Sequence, residues 1–204
     1  MHRFQRGEEP VNFPKIRQLY QNWQNFCVTS DHQRLAHALY HRQQHYCAYC
    51  ETYLSSQEEG HIEHRERRSD NPSRTFDWCN LFFSCNSPDS CGKFKDNPNA
   101  RITFRPEDII DPTREDPLDF FQYDMYGGIF PRDDAHRHRA EETIRVFHLR
   151  DSIRLRHIRK NIAVTISAFL ENHPSEEEVT EFLECLGPCS GISVYYSLLG
   201  RKMP

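Results

Sequence analysis

The stretch that decides the fold begins at Cys47-Ala-Tyr-Cys50 and ends at Cys85-Asn-Ser-Pro-Asp-Ser-Cys91. Each pair of cysteines can supply two thiolate ligands, and Zn²⁺ in structural sites takes four ligands in a tetrahedron. The second pair has a wider spacing than a zinc finger uses, and four buried free thiols are the alternative. We expect one structural zinc site at Cys47, Cys50, Cys85 and Cys91. The other cysteines, at positions 27, 79, 185 and 189, are expected to be buried thiols.

Charge and hydropathy limit the classes of protein to which the chain can belong. It has 204 residues, with 26 lysines and arginines against 30 aspartates and glutamates, a formal net charge of −4. Free-standing nucleic-acid binders are usually basic, so any contact with DNA must use a local patch or a partner. The sequence contains neither an apolar run of about 18 residues nor a signal-peptide pattern at its start. We therefore expect a cytoplasmic protein, away from membranes, with reduced cysteines.

The pattern of the chain divides it into three segments. Residues 1–46 are predicted to be an N-terminal helical segment, because apolar side chains recur every three or four positions from residue 13 onward. Residues 47–105 are rich in turns and contain the paired cysteines. Residues 106–204 begin with a connector rich in Pro and Asp and continue as capped helices. The prediction is a mixed α+β fold, mostly helical, with a zinc-braced module between helical flanks.

Several local elements are also predicted. We expect two helices within 13–46, the first with Leu19 and Cys27 on its apolar stripe and the second capped by Ser30 or Asp31. Later elements are a short strand over 101–105, a β element over 118–130 that turns at Gly127-Gly128, a helix over about 134–148, and helices capped by Asp151 and Ser175, the last ending at Gly187-Pro188.

A second group of polar residues lies between the cysteine pairs. It consists of His61-Ile62-Glu63-His64-Arg65 and, further on, Trp78-Cys79-Asn80-Leu81. A carboxylate directly before a histidine places a hard oxygen ligand, of the kind that Mg²⁺ takes, beside an imidazole that can accept a proton from water. An asparagine further along can hold the surroundings of that imidazole through side-chain hydrogen bonds. We therefore expect a catalytic centre at Glu63, His64 and Asn80.

These residues resemble the HNH, or ββα-metal, endonuclease motif, in the variety braced by a four-cysteine zinc site. The surrounding strings are similar to the HNH nuclease subunit of retron and Septu anti-phage systems, the PtuB family. They are Cys47-Ala-Tyr-Cys50-Glu51, Ile62-Glu63-His64, Trp78-x-Asn80-Leu81-x-x-Ser84-Cys85 and Cys91-Gly92-x-x-Lys95-Asp96. The motif part covers about residues 45–98. The resemblance implies a ββα-metal fold and hydrolysis of phosphodiester bonds in DNA.

The resemblance also implies roles for single residues. His64 is expected to be the general base, Glu63 a ligand of a catalytic Mg²⁺ or Mn²⁺, and Asn80 the middle letter of the motif. The third letter, usually His or Asn directly after the last cysteine, is replaced by Gly92, which has no side chain. We expect Asp96, one helical turn further on, to ligate instead, and Asp89 or Asn97 are the weaker candidates. Residues expected near backbone phosphates are Arg65, Arg67, Arg68, Arg74 and Lys95.

A partner protein follows from the same resemblance. It implies an ATPase subunit of the SMC/RecF type (PtuA-type), and in some systems a retron reverse transcriptase with its RNA–DNA hybrid. The helices outside the module are more than a nuclease core needs, which is consistent with docking. The alternative is a zinc-braced adaptor without catalysis that docks DNA or protein. The missing third letter of the motif is the best support for this alternative. A disulfide-stapled secreted domain is a third interpretation.

Two further patterns each allow two interpretations. His37, His41 and His45 recur every four residues on a predicted helix, either as a metal-binding stripe or, as we favour, as a surface that faces solvent or a partner. Residues 135–160 contain eight basic and three acidic residues. Such a stretch is either a solvated face or a surface for nucleic acid or an acidic partner.

Overall fold

The computed structural model describes residues 1, 3–186, 194, 195 and 197. Over these residues the fold is mixed α+β, as predicted. The helices are α1 (Phe13–Leu19), α2 (Trp23–Phe26), α3 (Ser30–Arg42), α4 (Cys91–Lys95), α5 (Arg137–Val146), α6 (Ile153–Leu170) and α7 (Glu176–Leu186). The strands are β1 (Gly60–His64), β2 (Leu81–Cys85), β3 (Phe121–Tyr123) and β4 (Ile129–Pro131). No helix among the described residues is both long and apolar enough to cross a membrane.

Strands β1 and β2 form an antiparallel pair, and α4 follows β2 after a short loop. All five residues of β2 are buried. The side chain of Gln43 covers the free edge of β2 and makes the hydrogen bonds that a neighbouring strand would make. Its amide donates to the carbonyl of Phe83 and accepts from the N–H of Phe83, each at 2.8 Å. Ala48 adds a backbone hydrogen bond to the same carbonyl. These bonds place the Cys47–Cys50 turn beside the end of β2, where Cys85 lies.

The N-terminal helices differ from the prediction in where they break. The predicted first helix stops at Leu19, whose side chain is 58% exposed, and Tyr20 is extended. Asn22 then caps the short helix α2 by accepting a hydrogen bond from the N–H of Asn25. An asparagine stabilises a helix start better than a helix interior, so the chain restarts there. Helix α3 is capped by Thr29 rather than by Ser30 or Asp31.

Other local predictions have mixed outcomes. The segment 101–105 is not a strand, whereas β3 and β4 pair around the turn at Gly127-Gly128 as predicted. Ser152 rather than Asp151 caps α6, and Ser175 forms the predicted capping box with Glu178. The prediction of buried thiols is wrong for Cys27, Cys79 and Cys185, which are all exposed. The predicted stop at Gly187-Pro188 and the thiol of Cys189 lie outside the described residues.

One hydrophobic core contains residues from all three predicted segments. Phe13 and Phe26 come from the N-terminal helices, Phe82 and Phe83 from β2, and Phe147 from the end of α5, and all five are fully buried. Since the three segments share this core, the helical flanks are packed parts of the fold around the β1–β2 pair.

The turn between β3 and β4 holds α6 in place. Arg159 is buried and donates to the carbonyls of Gly127 (2.8 Å) and Leu149 (2.7 Å). Gly127 has a φ of +79°, and a Cβ there would lie 2.1 Å from the carbonyl oxygen of Arg156. Glycine is therefore required at 127 both by the backbone conformation and by the close approach of α6.

We expect Gly127→Ala to lower the free energy of unfolding by about 2 kcal/mol or more, because the new methyl group strains a positive φ and collides with helix backbone. Urea unfolding of the reduced protein followed by circular dichroism measures the change. Asn161→Ala, at an exposed position of α6, is the matched control and should stay within about 0.5 kcal/mol of wild type. Equal stability of the two variants would contradict this packing.

Candidate metal centre and candidate catalytic cleft

Four cysteines from three parts of the fold meet at one point. Cys47 and Cys50 lie in the turn after α3, Cys85 ends β2 and Cys91 begins α4. Their sulfur atoms all lie within 4.8 Å of one another, and those of Cys50 and Cys85 are 3.8 Å apart. Tetrahedral Zn²⁺ with bonds of about 2.3 Å separates its sulfur ligands by about 3.8 Å. The predicted grouping is confirmed, and the cluster can hold a metal such as zinc.

The chemistry of the cluster also fits a cation. The thiols of Cys47 and Cys85 lower the pKa of Cys50 well below its ordinary value, while Cys47 and Cys50 raise the pKa of Cys85. Four thiolates repel one another, so they need a positive charge among them to ionise together. The N–H of Cys85 donates to the sulfur of Cys47 at 3.3 Å, which favours the thiolate there.

Helix α6 supplies a positive charge to the same cluster. Arg154 donates to Thr52 Oγ1 (3.3 Å) and to Ser90 Oγ (3.1 Å), and Thr52 Oγ1 lies 3.1 Å from the sulfur of Cys50. Burial opposes the charge on Arg154, but the negative cysteines outweigh burial and raise its pKa. The C-terminal segment therefore helps to hold the cysteine cluster.

A second polar centre is built on β1, around the carboxylate of Glu63. Glu63 is 2% exposed, and its Oε1 lies 2.9 Å from Nζ of Lys95, which is fully buried. Lys95 also donates to the carbonyl of His64 (3.0 Å) and to Oδ1 of Asp96 (2.6 Å). Burial alone would raise the pKa of Glu63, but Lys95 and His61 outweigh it and lower the pKa to about 2. Glu63 is therefore an anion, oriented by a buried ammonium group.

Gly92 lies directly against this carboxylate. A Cβ at position 92 would be 2.5 Å from Oε2 of Glu63 and 2.7 Å from its Cδ. The side chain that the third motif letter would place here has no room, because Glu63 fills the space. Since Lys95 pairs with Oε1, the donor atom of Glu63 that is left for a divalent cation is Oε2, and a carboxylate oxygen is a ligand that Mg²⁺ and Mn²⁺ accept.

His64 is held by the loop that follows β1. Its Nε2 lies 2.9 Å from the carbonyl oxygen of Thr75, and its ring packs edge-on against Trp23 with centroids 4.3 Å apart. A carbonyl only accepts, so Nε2 carries the proton and Nδ1 is left as the basic nitrogen. Burial lowers the pKa of His64 to about 4, against the smaller opposing effect of Glu63. The imidazole is therefore uncharged at neutral pH and able to accept a proton.

Asn80 holds the two ends of that same loop together. Its Oδ1 accepts from the N–H of Glu66 at 2.7 Å, and its Nδ2 donates to the carbonyls of Glu66 (3.0 Å) and Arg74 (3.1 Å). Thr75 follows Arg74 directly, so Asn80 fixes the segment whose carbonyl orients His64. The predicted supporting role of Asn80 has a clear structural basis, and the residue is 1% exposed.

Glu63 and His64 lie in an open cleft of about 1490 Å³. Arg67, Arg68 and Lys93 line it, and the predicted Asp96 does so as well. One wall comes from the N-terminal helices, with Tyr20, Asn22 and Trp23. The sequence predicts only a helical segment in this region and gives no sign of that wall.

Three of the predicted phosphate-binding residues point elsewhere. Arg65 does not line the cleft; its Nη2 donates to the carbonyls of Pro106 and Ile109, both at 2.6 Å. Lys95 is buried beneath the cleft on Glu63. Arg74 pairs with Glu66 and Asp77. Carbonyls and carboxylates of the protein pair with these cations, so their charge is used within the fold.

Asp96 reaches the cleft, but its Oδ1 is already paired with Lys95 and lies 3.0 Å from Nε of Arg67. Asp89, the weaker candidate, hydrogen-bonds to Ser87, Ser90 and Ser152 and does not line the cleft. His61, to which the sequence analysis assigns no role, lies close to Glu63, with its Nε2 3.7 Å from Oε2 of the carboxylate. Its spacing of two residues from Glu63 on a strand was the available signal.

We expect the purified, reduced protein to contain about one zinc per chain. Cys47→Ser should remove most of it and lower the thermal midpoint, because metal binding contributes folding free energy directly. Cys185→Ser, at an exposed position outside the cluster, should leave zinc content unchanged. Elemental analysis with a thermal melt of each variant gives both readouts. A folded wild type without metal, or equal zinc loss in both variants, would refute the assignment.

We expect His64 to titrate near pH 4 rather than near the ordinary value of 6.5. Burial disfavours the charged imidazolium, so the ring should remain neutral from pH 5 upward. Long-range ¹H–¹⁵N correlation spectra recorded without Mg²⁺ or Mn²⁺ follow the ring, and the signals missing from His64→Gln assign it. A midpoint at or above 6.5 would show that the ring is solvated.

The three histidines of the α3 stripe form a separate cluster. The Nε2 atoms of His37 and His41 are 2.9 Å apart, and Nε2 of His45 lies 3.1 Å from Nδ1 of His41. None of the three lines the cleft, and His37 and His41 are exposed. The stripe therefore lies on the surface, outside the cleft.

Comparison with known proteins adds no family to this picture. No protein-family model matches the chain, and a search of curated proteins finds no match. The chemistry of the cleft therefore rests on its own residues.

Proposed function

We propose that the chain is a metal-dependent endonuclease that hydrolyses phosphodiester bonds of DNA. The observation that carries the proposal is the placement of His64 and Glu63 side by side in an open cleft. His64 is an uncharged, oriented base, Glu63 is an anion held by Lys95, and Arg67, Arg68 and Lys93 line the same cleft. The succession of β1, β2 and α4 next to a four-cysteine cluster agrees with a zinc-braced ββα-metal module.

The reaction needs a base, a nucleophile and stabilisation of charge. Nδ1 of His64 takes a proton from water, and the resulting hydroxide attacks the phosphorus atom. The bond from phosphorus to the leaving 3′ oxygen breaks, and solvent returns a proton to that oxygen. A Mg²⁺ or Mn²⁺ ion held at Glu63 would supply charge neutralisation for the phosphate and for the leaving oxygen. Asn80 keeps Thr75, and through it His64, in position.

The substrate class follows from the cleft and from a face of α6. Arg68 lies over the ring of Trp23 (5.5 Å) at the cleft and carries no ion pair in the described structure, so its charge is available to a phosphate. On α6, Arg156 and Lys160 are exposed on the side opposite the buried Leu155 and Ala163. Such contacts read the backbone and not the base sequence, so selection of the target would depend on shape or delivery.

The biological setting is part of the proposal. The motif strings support a nuclease subunit of an anti-phage system that acts in the cytoplasm with an SMC/RecF-like ATPase, and in retron systems with a reverse transcriptase and its RNA–DNA hybrid. The structural support is limited to the helices beyond the β1–β2 pair, which add surface for docking. Dependence on such a partner is consistent with a chain whose net charge is −4.

The second candidate function is a zinc-braced adaptor without catalysis. Gly92, which supplies no ligand, is the observation that favours it. The buried and oriented His64 speaks against it, because an adaptor has no need of a desolvated base in a cleft.

We expect His64→Ala to reduce DNA cleavage at least a hundredfold, because it removes the base while leaving the fold intact. Nicking of supercoiled plasmid with Mn²⁺ or Mg²⁺ measures the rate, with and without the proposed SMC/RecF-like ATPase. His37→Ala, an exposed histidine outside the cleft, is the control and should cleave at the wild-type rate.

Zinc content and circular dichroism of both variants establish that they are folded. Equal cleavage by wild type and His64→Ala, in the presence of the ATPase, would remove the nuclease and leave the adaptor. Cleavage that withstands EDTA at a concentration that leaves zinc bound would remove the catalytic divalent ion from the proposal.

A further inference from the structure

His61 shares one face of β1 with Glu63, because side chains alternate along a strand. Its Nε2 lies 3.7 Å from Oε2 of Glu63, and both residues line the cleft. This Oε2 is the oxygen that Lys95 leaves free and that lies against Gly92. The cleft therefore contains an imidazole nitrogen and a carboxylate oxygen that face each other.

The hydrogen bonds of Asn86 define which nitrogen of His61 carries the proton. Nδ2 of Asn86 donates to the carbonyls of Glu58 (2.9 Å) and Gly60 (3.2 Å), so the amide orientation is fixed. Oδ1 of Asn86 then faces Nδ1 of His61 at 3.1 Å and can only accept. Nδ1 of His61 therefore donates to Asn86, and Nε2 is the nitrogen that faces Glu63.

At 3.7 Å, Nε2 of His61 and Oε2 of Glu63 are too far apart for a direct hydrogen bond. Donors bound to one ion at about 2.1 Å are at most about 4.2 Å apart. The separation of 3.7 Å is within that limit, so one cation fits between the two atoms. A histidine whose other nitrogen donates to an amide oxygen is the usual arrangement for a metal ligand.

We propose that His61 and Glu63 are the two protein ligands of the divalent cation, and that His61 supplies the ligand that Gly92 does not. The inference rests on the proposed function, since it identifies how that cation is held. Asp96, expected from the sequence to ligate, has its Oδ1 engaged by Lys95 and Arg67. Waters and a substrate phosphate complete the coordination.

The choice of metal follows from the pair of ligands. Mg²⁺ prefers oxygen ligands, whereas imidazole suits transition metals. A site with one nitrogen and one oxygen from the protein therefore binds Mn²⁺ in preference to Mg²⁺. The imidazole thus biases the cleft towards a transition metal.

Binding of Mn²⁺ tests the proposal without any cleavage. The full-length, zinc-loaded chain is titrated with Mn²⁺ without DNA, and free Mn²⁺ is measured by electron paramagnetic resonance. All variants are made in a His37→Ala/His41→Ala background, which removes the exposed histidine stripe as a competing site. His61→Ala should weaken Mn²⁺ binding on the order of tenfold or more. His157→Ala, an exposed histidine outside the cleft, is the matched control and should bind as the background does.

A second variant tests the preference for Mn²⁺ and keeps a ligand in place. His61→Asp replaces the nitrogen by an oxygen, so Mg²⁺ should displace Mn²⁺ at a severalfold lower excess than in the background protein. Circular dichroism and zinc content establish that each variant is folded. Displacement by Mg²⁺ at the same excess in both proteins would overturn the preference.

The outcomes separate this inference from the nuclease itself. If His61→Ala binds Mn²⁺ as tightly as the background while Glu63→Gln does not, His61 is only an ion-pair partner of Glu63 and the inference fails. Failure of the background protein to bind Mn²⁺ overturns it equally. The proposed function fails on a different result, namely equal plasmid cleavage by wild type and His64→Ala, which Mn²⁺ affinity does not determine.

Discussion

The convergence of four cysteine sulfurs within 4.8 Å is the constraint on which the rest of the structure depends. It joins the turn after α3, the end of β2 and the start of α4, so it fixes the position of α4 beside β1. Gly92 and Lys95 are both on α4, and both contact Glu63. The positions of Gly92 and Lys95 against Glu63 in the cleft therefore depend on the cysteine cluster. Arg154 extends the dependence to α6, because its charge compensates that of the cysteines.

A buried ion pair organises the cleft on this frame. Removing Lys95 and Glu63 from water is expensive, and the cost is offset only because the ammonium group has three oxygen partners. Those partners are Glu63 Oε1, the carbonyl of His64 and Asp96 Oδ1. One lysine therefore orients the carboxylate and restrains the backbone of the neighbouring histidine. The single protonated nitrogen of His64, held by Thr75, completes the arrangement.

The sequence was informative where a residue's chemistry is itself specific. The cysteine spacing predicted the cluster, since few other arrangements satisfy four thiols, and Gly127-Gly128 and Ser175 predicted a turn and a cap by conformational preference. Prediction was wrong where the outcome depends on distant neighbours. The segment 101–105 pairs with no strand in the part of the chain that the structure describes. Arg65 donates to the carbonyls of Pro106 and Ile109 instead of lining the cleft. His61 is assigned no role from the sequence, because its contact with Asn86, 25 residues further along the chain, becomes visible only in the fold.

Gly92 and Glu63 are in such close contact that only one of the two positions can carry a long side chain. A side chain at 92 and a carboxylate as long as that of glutamate at 63 compete for the same space, so a side chain cannot be added at 92 while Glu63 keeps its position. A side chain can be introduced at 92 only after position 63 carries a shorter acid, or together with that change. Packing thus constrains the order in which the two positions can be exchanged.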